Sequence, residues 1–382
     1  MSDARRHVRG VVRLRATVAV LLVGVLATPA LSGCATLARV ELPPDVVYPS
    51  IEPVADATPL PTTEIVWSFE TAERTLSVQL DAAVYEGASR AEKSVLLFRE
   101  LDRSEWIPDY YRAFIDESHQ EPLYEVLLKE LRAMRDALGL DDDRYVELIV
   151  SLVQALTYRT DPVNLQPKFP IETVHDLDGD CDDKTLLAAA LLAREGYDVA
   201  MLLFSAEEHM GLGLRTNGST YGQSGYGYLE LTMPSLIGWI PEKSANGVTL
   251  SSEPMVVRIG DGARAYGAGD QTDALHAAFD DAVARSAELV TRIEESQAAL
   301  DSLAARVEAE RAELERLSAA RDYAAYNARV PAFNQLVADY NAAVKAHNAL
   351  VAEQNAAAEV ARRIIDGQTD RLGLARWLEP QS

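Results

Sequence analysis

Five aspartates and one cysteine fall within the segment DLDGDCDDKT, residues 176–185. The whole sequence holds two cysteines, Cys34 and Cys181. A thiolate is a strong nucleophile, but neighbouring carboxylates oppose its formation, so the setting of Cys181 demands a compensating group. One is the helix that Cys181 opens. The run TLLAAALLAR is apolar at helical spacing and stops at Gly196, which puts the thiol at a helix N-terminus, where free N–H groups and the dipole favour the anion. Asp182 and Asp183 suit the first turn of that helix, and Asp183 and Lys184 read as a solvated face.

The second compensating group is a base. Of six histidines, His7 lies in the N-terminal basic segment, His276 and His347 in a helical C-terminal region, and His119 in the polar loop DESHQEP. His175 is six residues before the cysteine. His209 opens the alternating strand HMGLGLR, which follows the strand after the cysteine helix, so it can reach that helix tip. Glu230 is the one acid of a further strand, YGYLELT. Cys181, His209 and Glu230 together have the parts for nucleophilic catalysis through an acyl-enzyme. An imidazolium at His209 would outweigh the aspartates, so the expectation is a thiolate at neutral pH, with His175 the alternative base. The alternating Asp176, Asp178 and Asp180 also suggest a calcium loop, but that loop wants glycine where Cys181 stands and glutamate at Leu187. No metal and no cofactor are expected.

These residues need elements to hold them. Residues 64–85, with EIVWSF and TLSVQLDAAVY, read as strands, and helical periodicity follows from about 92 to 160. PLYEVLLKELRAMRDALGL stops at Gly139, and DDDRYVELIVSLVQALTY begins on an acidic turn. From Phe279, apolar residues recur in heptads, with Ile293, Leu300, Val307 and Leu314 at one position and Leu289, Leu303 and Leu317 at the other. Ser296 and Glu310 interrupt the second series. After a break placed near Pro331, a second seam runs from Tyr326 to Val351 and includes His347, with asparagines every seven residues beside it. Two such runs predict an antiparallel helical hairpin over 270–366 that buries its seam on itself or on a partner chain. A cut near residue 262 should then leave the core folded.

The blocks LVQALTYRTD, KFPIETV, GDCDDKTLLAAALLAREGYDVAMLLF, HMGLGL and YGYLELT…IGWIP resemble, in that order, the bacterial and archaeal branch of the transglutaminase-like superfamily, predicted papain-fold thiol proteases. The likeness covers roughly 64–245. It implies an α+β fold with a papain-like core of helices on an antiparallel sheet, with Cys181 as nucleophile, His209 as base and Glu230 as orienting acid. It adds Gln154, in VQALTY, as a support of the oxyanion or of local helix packing. A third residue of this superfamily is often aspartate, where this chain has Glu230.

The N-terminus supplies a location. Five arginines precede the apolar run ATVAVLLVGVLATPALSG, which ends at Cys34. That is the form of a secretory signal, and LSGC resembles a lipobox, so residues 1–33 are expected to be removed and Cys34 lipidated. The proline-rich residues 34–62 read as a tether to a domain over 63–262. The expected place is the cell envelope, lipid-anchored outside the cytoplasm. The formal charge of −23 excludes a nucleic-acid partner and electrostatic docking on anionic lipid. The expected function is amide or peptide chemistry on a protein or cell-wall peptide, by a cysteine-dependent peptidase or a transglutaminase-like acyltransferase. Hydrolysis is favoured because water is always at hand, and a non-catalytic envelope adaptor is the alternative. A coiled-coil partner or homo-oligomer suits the arm.

Overall fold

The computed structural model describes residues 45–161 and 166–379. The signal, the lipobox and Cys34 lie outside the described residues. The chain enters through β1 (Val46–Val47), then the hairpin β2 (Thr63–Phe69) and β3 (Ala72–Val78). Strand β2 alternates strictly, with Thr63, Ile65, Trp67 and Phe69 inward, as period-two patterning dictates. The strand expected to run on to residue 85 stops early, because Asp81 caps a helix, α1 (Ala82–Arg90), by accepting the N–H groups of Ala83 and Val84. After β4 (Leu96–Leu97) come α2 (Arg103–Ile115), α3 (Glu121–Leu138) and α4 (Asp142–Ala155). Gly139 closes α3 at φ 60°, and Asp141 caps α4.

Next come β5 (Thr157–Tyr158), α5 (Pro170–Asp176), β6 (Asp178–Gly179) and α6 (Cys181–Arg194). The strands β7 (Val199–Phe204), β8 (His209–Leu214), β9 (Gly227–Leu229) and β10 (Met255–Arg258) form one antiparallel sheet in the order β10-β7-β8-β9. Helix α6 packs on β7 and β8, and α4 packs on α6 and on the β2–β3 hairpin, where the Trp67 indole N–H bonds Ser151 at 3.1 Å. Mixed helix and antiparallel sheet, with the helices gathered around α6, are compatible with α+β.

The expected tether is corrected for residues 45–62. Strand β1 pairs with β4, Ile51 is buried in the main core, and the Val54 N–H bonds the Ala83 carbonyl. Apolar Ile51 finds a pocket beside Gly87, where a side chain would strike the Glu52 carbonyl. This stretch belongs to the folded body.

The hairpin forms from α7 (Gly269–Ala319) and α8 (Tyr323–Asp366), followed by α9 (Arg371–Leu378). The turn falls at residues 320–322, not at Pro331, whose ring is exposed within α8. The polar interruptions of α7 meet polar residues of α8: Ser296 bonds His347 at 3.3 Å, and Glu310 accepts from Arg329 at 2.9 Å. The boundary at 262 is also corrected. Tyr266 and Ala268 are buried in the main core, and Leu275 of α7, Ile364 of α8 and Leu374 of α9 form a second core with Leu236 and Trp239. The arm's foot is therefore part of the body. Among the described residues, no helix is long and apolar enough to cross a membrane.

Candidate active site

Helix α6 begins at Cys181 because Asp180 caps it. One Asp180 oxygen accepts the N–H groups of Asp182 (3.1 Å) and Asp183 (3.3 Å), and Asp183 reaches back to the Asp180 N–H at 3.1 Å. This capping box absorbs two of the five aspartates. Lys168 absorbs two more, contacting Asp176 at 2.8 Å and Asp178 at 2.6 Å, and Arg159 adds a second cation to Asp178. Gly179 is needed here, since a Cβ would lie 2.6 Å from that of Asp183. The acidic run is thus mostly structural. Asp182 alone is turned to the sulfur, accepting the Cys181 S–H at 3.3 Å.

The expected solvated face is corrected as well. Asp183 is buried, accepting the Lys168 N–H at 2.6 Å, and Lys184 is fully buried. Its ammonium donates to the carbonyls of Gln154 (3.1 Å) and Leu156 (2.7 Å), capping the C-terminal end of α4 where a cation is favoured. Burial lowers Lys184 to about 8, and the Glu230 carboxylate opposes that shift.

Cys181, His209, Glu230 and Gln154 come together. The Cys181 sulfur accepts the Met210 N–H, so it lies against the peptide that follows His209. His209 is buried, and its Nε2 is 3.1 Å from the Tyr228 hydroxyl and 3.4 Å from Glu230 Oε2. Tyr228 also bonds Glu230 Oε2 at 2.8 Å, and Thr232 satisfies Oε1 through its N–H and hydroxyl. These bonds and the histidine outweigh burial and hold Glu230 below the usual glutamate range. An ionised Glu230 can only accept, so Tyr228 must donate to it, and the phenol oxygen is left to accept from His209 Nε2–H. In the neutral histidine, Nε2 therefore carries the hydrogen. Its Nδ1, buried and without a partner among the described residues, carries the free lone pair of a general base.

Gln154 ties α4 to the segment that carries Glu230. Its amide group donates to the carbonyls of Glu230 and Ser235, both at 2.8 Å. Both N–H bonds are used, so it supports the segment carrying Glu230 and does not serve an oxyanion. The Cys181 N–H, at the first turn of α6, donates to nothing among the described residues and is the available oxyanion donor. His175 is not a base for this thiol: it bonds Asp176 at 2.9 Å and stacks on Tyr85.

The surroundings of Cys181 work against the expected thiolate. Burial first, then Asp182 and Asp180, push the Cys181 thiol well above its usual range, and the Met210 N–H only partly opposes them. The helix N-terminus contributes up to ~2 kcal/mol, too little against burial and an adjacent acid that accepts the S–H. Tyr111, Tyr158 and Tyr228 stand close enough that a charged sulfur would raise their hydroxyls further. Asp180, Cys181 and Asp182 also bring one ligand atom each within 4.8 Å. A cation there would have to displace the helix cap and the thiol proton.

The sequence does not single out Tyr228, and it offers Lys184 only as a solvated residue. Tyr228 had a signal, since it stands two residues before Glu230 and so on the same strand face. Lys184 had none, because a lysine in an acidic helix start is usually solvated. Comparisons of the chain with protein-family models, curated proteins and solved structures find no match.

Proposed function

We propose that the protein is a thiol enzyme of amide or peptide bonds, with a papain-like, transglutaminase-type core. The observation that carries this reading is the state of His209: Nε2 is held by Tyr228 and Glu230, Nδ1 is buried and free, and the N–H of the next residue, Met210, reaches the Cys181 sulfur. Cys181 attacks the carbonyl carbon as its proton passes to His209 Nδ1, and the oxyanion develops towards the Cys181 N–H. The imidazolium then protonates the leaving amine, which departs as the acyl-enzyme forms. Water, giving a proton to His209, attacks the thioester carbonyl; the C–S bond breaks, the acid is released, and the sulfur takes the proton back from the imidazolium. Since burial and Asp182 favour the protonated sulfur, deprotonation in this reading accompanies attack and does not precede it.

The substrate in this reading is a protein or a cell-wall peptide, and the protein acts in the cell envelope, held on a membrane through lipidated Cys34. The arm adds a coiled-coil partner or a second copy. One observation favours a non-catalytic adaptor instead: Cys181 is 8% exposed and bonded to Asp182.

The test is incubation of the protein, from residue 35 onward, with fluorogenic peptide amides and with an acyloxymethyl ketone probe. Hydrolysis and labelling that vanish in both Cys181→Ala and His209→Ala support the enzyme. A native protein that hydrolyses nothing and is labelled only after unfolding would establish the adaptor.

A further inference from the structure

Resting on the catalytic reading above, we infer that Tyr228 is a positioning residue that links Glu230 to His209, and that Gly211 exists to seat its ring. The carboxylate is 3.4 Å from His209 Nε2, long for a charge-assisted bond, whereas the phenol spans the gap at 3.1 Å and 2.8 Å. Glu230 therefore acts on the histidine largely through a neutral hydroxyl. When Cys181 gives its proton to Nδ1, the Nε2–H bond to the phenol strengthens, and so does the phenol's bond to Glu230. No proton leaves Nε2 or Tyr228, so the relay restores itself at each turnover.

Gly211 is a separate observation. It lies two residues after His209 on β8, hence on the same face, and a Cβ there would come within 2.5 Å of Tyr228 Cε2 and 3.1 Å of its oxygen. Its missing side chain is the space the Tyr228 ring fills. Phe204 and Tyr221 close the ring from the other sides, edge-on and tilted, with centroids 6.1 Å and 5.9 Å away. The hydroxyl is thus fixed by its surroundings as well as by its two bonds.

The test uses Tyr228→Phe, which keeps the ring and removes the hydroxyl, and Gly211→Ala, which keeps the hydroxyl and displaces the ring. The first readout is the His209 tautomer from nitrogen–proton NMR of the intact protein. Wild type should show the Nε2–H form, and both variants should mix in Nδ1–H. The second is iodoacetamide labelling of Cys181 at neutral pH, expected to fall about 10- to 100-fold in Tyr228→Phe if one charge-linked hydrogen bond is lost. Unchanged tautomer and labelling in a folded Tyr228→Phe would overturn the inference. Failure of the catalytic reading is read separately, from peptide hydrolysis that survives Cys181→Ala. If Gly211→Ala does not fold, Tyr228→Phe alone decides.

Discussion

The guanidinium of Arg371, in α9, is buried against the carboxylate of Glu147, in α4. Tyr266 donates to the same carboxylate at 2.6 Å, and the Gln271 side chain accepts from Arg371. Three segments that meet only in space, α4, the entry to the arm and its exit, are tied at this one ion pair. Burial first, with a smaller push from Asp143, raises Glu147 above the usual glutamate range, and Arg371 and Tyr266 only partly oppose it. Arg371→Met should therefore cost about 3–5 kcal/mol, the typical result of orphaning a buried charge. The loss should be larger at pH 8 than at pH 5, because the orphaned Glu147 escapes its penalty only by taking a proton. Urea unfolding at the two pH values checks this, and equal losses at both would sink it.

Gln154 yields a prediction against chemical intuition. Glutamate has nearly its shape, but Gln154→Glu sets a carboxylate against the two carbonyls that now accept its N–H bonds. Gln154→Leu loses two hydrogen bonds, about 1–3 kcal/mol in all. The glutamate variant should be the less stable of the two at neutral pH and should recover on acidification. Melting temperatures of both across pH 5–8 decide the matter.

For the thiol, Cys181 should react slowly with iodoacetamide at neutral pH, its rate rising only above the free-thiol range, because burial and Asp182 hold the proton. Asp182→Asn should speed neutral labelling, by about tenfold for each pKa unit released. His209→Ala should slow it. An Asp182→Asn variant labelled no faster than wild type would mean that the carboxylate does not restrain the sulfur.

Asp180 is raised from 3.8 to about 7, chiefly by burial and then by Asp182. The folded state thus binds this proton more tightly than the unfolded chain does. Its contribution to stability is fully present below about pH 4 and is lost as pH climbs through about 7. Asp180→Asn keeps a capping side chain without the titration, so its stability should fall less steeply across that window. Parallel slopes for the two proteins would count against the assignment.

Much of this site was legible in sequence because its parts are locally encoded. The helix start at Cys181 is written in its own acids, and His209 and Glu230 are marked by strands with few other polar groups. The thiol's protonation state was not legible. It depends on how deeply Cys181 sinks and on which of five aspartates faces it, and Lys168, just before α5, folds back to remove two of them. The arm's heptads gave its two helices, but apolar periodicity does not tell a seam residue from a foot residue. Leu275 continues the heptad series, yet it buries against Leu236 and Trp239, and on α8 the extrapolated seam points to exposed Ile365 while its neighbour Ile364 is the buried foot residue. Pro331 looked like a break, but its exposed ring sits in the third turn of α8, where the curvature needed to spare its carbonyl neighbour costs no buried contact.

That foot leads to the last prediction. A cut near residue 262 removes Tyr266, Ala268, Leu275, Ile364, Arg371 and Leu374, and so strips Leu236 and Trp239 of their cover. It also removes Gln368, whose side-chain oxygen accepts the Leu236 N–H at 3.0 Å, one residue from the Ser235 carbonyl held by Gln154. Each uncovered large side chain forfeits roughly 1.5–3 kcal/mol, so several such losses reach the whole stability of an ordinary domain. The truncated core should fail to unfold cooperatively, and the segment carrying Glu230 should loosen. Shortening the arm instead, by joining α7 to α8 with a tight turn after Leu289 and before Val351, spares every foot contact. That variant should melt with the cooperativity of the intact protein and keep its Cys181 labelling profile. Calorimetry of the two deletions separates the cases: cooperative melting after the cut at 262 would show that the foot merely rests on the core.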